Sequence, residues 1–316
     1  MQAFVTLMYH NVTDSGDSFA HLSPSVTDYF VDQATFRDQI RELTRCAQCV
    51  DAESVERFWG AARTANTVAS AASVQPGSAI SQPAIQITFD DGWKGSVELA
   101  GPILDDAQCQ GLLFVTTDLI GRPNFVSRED LRMLNPGTLR IGSHARTHRL
   151  LNRLNDSEIS EELRVSKHVL EDLVGYEITS LSIPGGALNN RVLDLAASSG
   201  YRFVYNSRVQ RNTHQSGPMH IGRVAIKRST TMRQFHKYLA HRLWTDQVRR
   251  HVLQISKSVL GQAYQPIRSW LLGANSAHAD MVDLSSDVQP ETHLPAADTD
   301  DGRLVPAVCE EHAECE

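Results

Sequence analysis

AIQITFDDG, residues 84–92, decides both the fold class and where to look for chemistry. Its first six residues form an apolar, β-prone run, which predicts a strand over 84–89. Asp90 and Asp91 stand at the end of that run, and Gly92 permits a tight turn after them. In parallel α/β folds the C-terminal ends of strands are where active sites form. Adjacent carboxylates raise each other's pKa unless a positive charge is near. Alternation along a strand sends their side chains to different partners. The plain alternative is an acidic pair capping the next helix.

Working outward, six more runs read as strands: AFVTLMY (3–9), GLLFV (111–115), LRIG (139–142), SLSI (180–183), FVY (203–205) and RVAI (223–226). Helical patterns lie between several of them. In the clearest, Asn155 or Ser157 serves as cap, and Ile159, Leu163, Ser166, Leu170 and Leu173 fall at helical spacing before Gly175. Strands interleaved with helices predict an α/β parallel sheet or barrel and argue against a sandwich.

The chain has 316 residues, 41% hydrophobic and 21% charged, an ordinary globular composition. No run is long enough to span a membrane. Met1 leads directly into AFVTLMY without the pattern of a secretory signal, so a cytoplasmic protein is expected. Five scattered cysteines argue against a disulfide framework, and Cys46 and Cys49 form one C-x-x-C with no second pair to complete a zinc site. Residues 64–82 are rich in Ala, Ser and Thr without periodicity and read as a loop insertion. From about 243 to 273 a helical extension is expected, with Trp244, Val248, Val252, Ile255 and Val259 on one face.

Charge is unevenly placed. Residues 274–316 hold eleven acidic residues and one arginine, Arg303, and read as an acidic disordered tail. Residues 227–273 hold nine Lys/Arg against Asp246 alone. That stretch is either a solvated helical face or a surface for anionic partners such as lipid headgroups, an acidic polymer or the tail itself. Nucleic acid is not among the expected partners.

Three further strand ends carry candidate chemistry. In GSHARTHRL (142–150), His144 and His148 are four apart, a spacing that on one helical turn places two imidazoles over one metal ion. With an aspartate they make a two-histidine, one-carboxylate set with open positions, and the metal would be the missing positive charge. One aspartate would be a ligand and the other would be left as a base. In MYHNV (8–12), His10 is either a satisfied core histidine or a catalytic group. In SIPGGALNN (182–190), Pro184, Gly185 and Gly186 make a turn that can expose backbone N–H groups to an oxyanion.

Taken in order, TFDDG (88–92), SHARTH (143–148) and PGG (184–186) resemble the successive motifs of the polysaccharide deacetylases, carbohydrate esterase family four. The MYH opening is similar to the branch acting on poly-N-acetylglucosamine and other bacterial exopolysaccharides. The resemblance covers about residues 3–240 and implies a distorted (β/α) barrel of about seven parallel strands as a catalytic domain over 1–242. It implies that Asp91, His144 and His148 bind a divalent metal, usually zinc. It makes Asp90 the general base toward water, and the Gly185 N–H is assigned to the oxyanion. His10 protonates the departing amine, with His220 of PMHIGR as runner-up.

Two positions depart from the family pattern. Ala145 stands where a Ser or Thr is usual, and Ser182 where many members carry an arginine that steadies the base. The activity implied is removal of N-acetyl groups from hexosamines of a glycan, in exopolysaccharide biosynthesis. A non-haem iron oxygenase using the same three ligands and a non-catalytic glycan-binding relative are the competing classes.

Overall fold

In the computed structural model the described residues are 1–17, 19–20, 22–65 and 82–244, without the side chains of 61–65. Ten strands occur among them: β1 (Phe4–Tyr9), β2 (Asn11–Thr13), β3 (Phe30–Asp32), β4 (Gln48–Cys49), β5 (Ala84–Phe89), β6 (Gly111–Val115), β7 (Leu139–Ser143), β8 (Ser180–Ser182), β9 (Phe203–Tyr205) and β10 (Arg223–Ala225). Seven run parallel around one sheet in the order β10-β1-β5-β6-β7-β8-β9, with β4 attached to the lower end of β5. The two ends of that path meet through one parallel bridge, Tyr205 to Ile221, two residues ahead of β10. The seven strands expected from the sequence are these seven. β2, β3 and β4 have two or three residues each, too few to show alternation.

The side chains of β5 explain why it reads apolar yet carries polar residues. Ile85, Ile87 and Phe89 face the surrounding helices and join the large outer core with Leu7, Leu113, Ile141 and Leu163. Gln86 and Thr88 face the barrel interior. There Thr6 Oγ1 donates to Gln86 Oε1 (3.1 Å) and Gln86 Nε2 donates to the Tyr205 hydroxyl (3.0 Å). Below them Phe4, Phe58, Trp59, Phe114, Phe203 and Tyr205 fill the N-terminal mouth of the barrel. Phe58 and Trp59 come from the helix Ala52–Ala65 and pack edge-on against Phe4 at 5.6 and 5.5 Å.

The helix predicted after residue 155 spans Asp156–Val174. Asn155 caps it in a reciprocal box with Glu158, and Gly175 ends it in the left-handed conformation, φ 72°. Its buried face is Ile159, Leu163, Ser166, Leu170 and Leu173, as the spacing predicts. The Ala52–Ala65 helix occupies the first two positions of the expected 64–82 loop. The remainder of that insertion falls almost wholly outside the described residues. So do the helical extension beyond Trp244 and the whole 274–316 segment. Among the described residues no helix is long and apolar enough to cross a membrane.

Candidate metal centre

Asp90 and Asp91 sit just past β5, where the chain turns. The Asp90 N–H donates to the Tyr9 carbonyl (3.0 Å), continuing the ladder one residue beyond the strand. Asp91 then takes a left-handed backbone (φ 75°), followed by Gly92 (φ 88°). This break separates the two carboxylates and gives each its own surroundings.

Asp91 is 1% exposed. Its Oδ2 accepts from Trp93 Nε1 at 2.9 Å, and the Trp93 ring is held by Phe30 and Phe125. Its Oδ1 lies 3.3 Å from both His144 Nε2 and His148 Nε2. These three ligand atoms fall within 4.8 Å of one another. Burial alone would raise the Asp91 pKa, but the two imidazoles that face its Oδ1 outweigh burial and hold it well below the usual carboxylate range.

The His144 ring is oriented from behind. Its Nδ1 lies 2.9 Å from the Ser182 carbonyl, an acceptor, so Nδ1 carries the proton and Nε2 presents its lone pair forward. Burial would lower the His144 pKa; the Asp90 and Asp91 carboxylates outweigh it and raise it. The two histidines do not share a helical turn, as their spacing suggested. They lie on a loop after β7 that is left-handed at Ala145 (φ 61°) and His148 (φ 68°), and this loop brings both rings to Asp91. Four-residue spacing is common to both arrangements, so the sequence alone does not separate them.

Two buried imidazole nitrogens and one carboxylate oxygen are the donor set of zinc and of other first-row divalent ions. Asp91 Oδ1 and His148 Nδ1 are both buried without a hydrogen-bond partner. An anionic oxygen left without a donor, facing two imidazole nitrogens, fits a cation at the point where they converge.

Asp90 is fixed differently. Arg223, fully buried in β10, grips it with two parallel bonds, Nη1 to Oδ1 at 2.7 Å and Nη2 to Oδ2 at 2.8 Å. Ser182 Oγ donates to Oδ2 (3.2 Å) and accepts from Arg223 Nη2 (2.8 Å). Asp90 is therefore not left without partners, as the expectation of a free base had it. Burial would raise the Asp90 pKa, and the Arg223 guanidinium outweighs burial and holds it below the normal range. The arginine missing at position 182 is thus replaced from another strand, with Ser182 bridging. One signal for it stood in RVAI. Val224 and Ile226 join the outer core, so alternation turns Arg223 into the barrel, where it requires a carboxylate.

His10, at the end of β1, is buried and packs on the Tyr29 ring at 4.5 Å. Burial lowers its pKa; Asp91 and Asp90 oppose that, and Arg223 and His144 reinforce it. Its Nδ1 is another buried atom without a partner. His220 is exposed in the turn Pro218–His220 ahead of β10, its carbonyl accepting from Gln210 Nε2. The structure groups His10, and not His220, with the two aspartates. Gly185 lies after β8, left-handed at φ 63°, in the turn Pro184–Gly186. A Cβ there would come within 2.6 Å of Leu150 Cδ2, two residues past His148.

Residues 78–204 match the family model described as polysaccharide deacetylase. That span holds Asp90, Asp91, His144, His148 and Gly185, but neither His10 nor Arg223. YxkH of Bacillus subtilis (strain 168), provisionally named a polysaccharide deacetylase, is 24% identical over 159 residues, 50% of this chain. The match spans only 57% of that relative's length. Among solved structures, the Streptococcus pyogenes deacetylase PplD, described in complex with acetate, superposes with a TM-score of 0.61 at 17% identity, covering 75% of this chain and 98% of that one. A de-N-acetylase from Aggregatibacter actinomycetemcomitans gives 0.60 at 15% identity, covering 75% and 99%. At these identities the structural likeness is one of fold, a nearly closed parallel barrel.

Proposed function

We propose, from the match of residues 78–204 to the polysaccharide deacetylase family, that the chain is a metal-dependent hydrolase removing N-acetyl groups from hexosamine residues of a glycan. The carrying observation is the division of labour between adjacent aspartates. Asp91 turns an unpartnered oxygen toward two imidazoles, while Asp90 is gripped by a guanidinium a residue away. Two like carboxylates given opposite surroundings is the arrangement expected of a ligand and a base. The described similarity of fold to a de-N-acetylase and to a deacetylase holding acetate supports the same reading.

Asp91, His144 and His148 would hold the cation, for which we propose zinc. Bound there, it supplies Lewis-acid chemistry, making water a nucleophile near neutral pH and polarising the acetamide carbonyl. Asp90 accepts the proton of the attacking water, kept anionic and aimed by Arg223 and Ser182. The Gly185 N–H donates to the oxygen that becomes negative as the carbonyl carbon turns tetrahedral. His10 gives its proton to the departing amine nitrogen, so the C–N bond breaks to release acetate and a free amine. A bacterial exopolysaccharide or its oligosaccharide intermediate is the substrate we favour.

The test is acetate release, with zinc, from N-acetylglucosamine oligomers of increasing length by wild type and Asp90→Asn. Release by wild type, lost in a variant that keeps its metal, is the expected result. No release from any length with zinc, cobalt or nickel overturns the catalytic reading. We further propose contact with an anionic membrane surface, supported by exposed Arg228, Arg233 and Arg242 and by Trp244, which is 73% exposed. Failure to sediment with anionic liposomes at low salt overturns that part alone.

A further inference from the structure

The loop bearing the two imidazoles is held in a shape that its own residues do not favour. Ala145 and His148, at its two ends, both adopt left-handed backbone although both carry a Cβ. Such a conformation persists only where the surroundings impose it. Between them lie Arg146 and Thr147, whose backbone N–H groups converge on one atom, Glu162 Oε2, at 3.0 and 2.9 Å. The Thr147 hydroxyl donates to the other oxygen, Glu162 Oε1, at 2.5 Å. One carboxylate thereby takes three donors from two consecutive residues.

Glu162 is 4% exposed and sits on the helix Asp156–Val174, between the buried Ile159 and Leu163. The same helix is tied to β7 through Ser166 Oγ and Ser143 Oγ at 2.9 Å. The carboxylate is therefore set in space by packing and not by the loop it grips. The loop is also held by two backbone ties, Thr117 N–H to the Ala145 carbonyl (3.3 Å) and Asp118 N–H to the Arg146 carbonyl (2.9 Å), and by the Arg146 guanidinium, which pairs with Asp118 and Glu161. No described residue offers a second acceptor to the Arg146 and Thr147 N–H groups in place of Glu162.

We propose that Glu162 is a positioning residue for the metal centre. By clamping residues 146 and 147 it fixes the separation and aim of His144 and His148, and so sets the affinity and geometry of the ion they hold with Asp91. This rests on the reading of those three residues as metal ligands. The clamp also accounts for the tolerance of Ala145. The loop is oriented by a hydroxyl at 147 and a carboxylate from the neighbouring helix, without a hydroxyl at 145.

The experiment measures zinc affinity by competition with a chromophoric chelator, the visible spectrum of the cobalt-loaded protein, and the Tm of the metal-free protein. Wild type is compared with Glu162→Leu, Glu162→Gln and Thr147→Val. Loss of groups that orient metal ligands typically weakens binding about 10- to 100-fold, the range expected for Glu162→Leu, together with an altered cobalt spectrum. Thr147→Val removes one bond of three and should weaken zinc less, in a protein whose fold is not in question. Glu162→Gln keeps an acceptor oxygen for the two N–H groups and should recover most of the affinity. If wild type and all three variants bind zinc equally and share one cobalt spectrum, whatever their Tm, Glu162 only braces the fold and the proposal fails. If wild type itself binds neither ion, the metal reading falls and takes this proposal with it.

Discussion

The two ends of the barrel are built from the same strands and follow opposite rules. At the N-terminal end Phe4, Phe58, Trp59 and Phe203 pack ring against ring, and Asn212 spends its side chain joining Thr6 to both the N–H and the carbonyl of Gly222. At the C-terminal end Asp91, Ala145 and His148 hold left-handed backbone, and His10, Asp91 and His148 each bury a polar atom without a partner. The lower end leaves one such atom, Trp59 Nε1, inside its aromatic plug, while the upper end gathers several and adds left-handed backbone. The lower half supplies the rigidity that lets the upper half keep groups it would otherwise bond away.

Substitutions at the two ends must therefore fail differently. The largest effect is expected from Asp91→Asn. Zinc affinity should fall by on the order of 100-fold or more and acetate release should vanish, while the metal-free protein melts no lower than wild type. A large fall in Tm would mean that Asp91 is structural. Next is Arg223→Met, which leaves a buried carboxylate unpaired. About 3–5 kcal/mol of stability should be lost, together with activity, and zinc binding should survive. Calorimetry and metal titration on one sample check this.

Phe58→Ala sharpens the comparison from below. Emptying part of the aromatic plug should cost about 3 kcal/mol in chemical denaturation, with kcat, KM and zinc affinity unchanged. A changed kcat would show that the two ends are coupled. The smallest effect is at Asp32, which caps the helix Gln33–Cys46 by accepting from the Thr35 N–H (2.8 Å) and hydroxyl (2.6 Å). The Thr35 hydroxyl, then its N–H, lower the Asp32 pKa. A depressed folded-state pKa contributes stability above the unfolded value, and the contribution disappears as pH falls through the folded one. Asp32→Ala should therefore cost about 1 kcal/mol at neutral pH and progressively less below pH ~4. Denaturant melts at pH 7 and pH 3 provide the check.

Much of this was legible in the sequence because strands and their ends leave local marks. The seven barrel strands are apolar runs, and TFDDG, SHARTH and PGG each follow one of them. Asp91, His144 and His148 converge as their types suggested. What was hidden is long-range. Arg223 is 133 residues from Asp90 in sequence, and Glu162 is 15 from Thr147, so neither pairing follows from spacing. The short β2 and β3 exist because they pair with each other, and no pattern within three residues announces that. The loop path of His144 to His148 depends on left-handed residues other than glycine, which composition does not flag.

The single bridge between Tyr205 and Ile221 has a consequence for how the barrel comes into being. Synthesis runs from the N-terminus, so Asp90, Asp91, His144 and His148 leave the ribosome well before β10, the last strand to join the ring. The cluster of Asp91, His144 and His148 is complete without that strand; the pairing of Asp90 with a guanidinium is not. A nascent chain can hold Asp91, His144 and His148 and still lack the partner of Asp90, which arrives only when the final stave is seated. The arginine that finishes the barrel is also the one that pairs the buried Asp90.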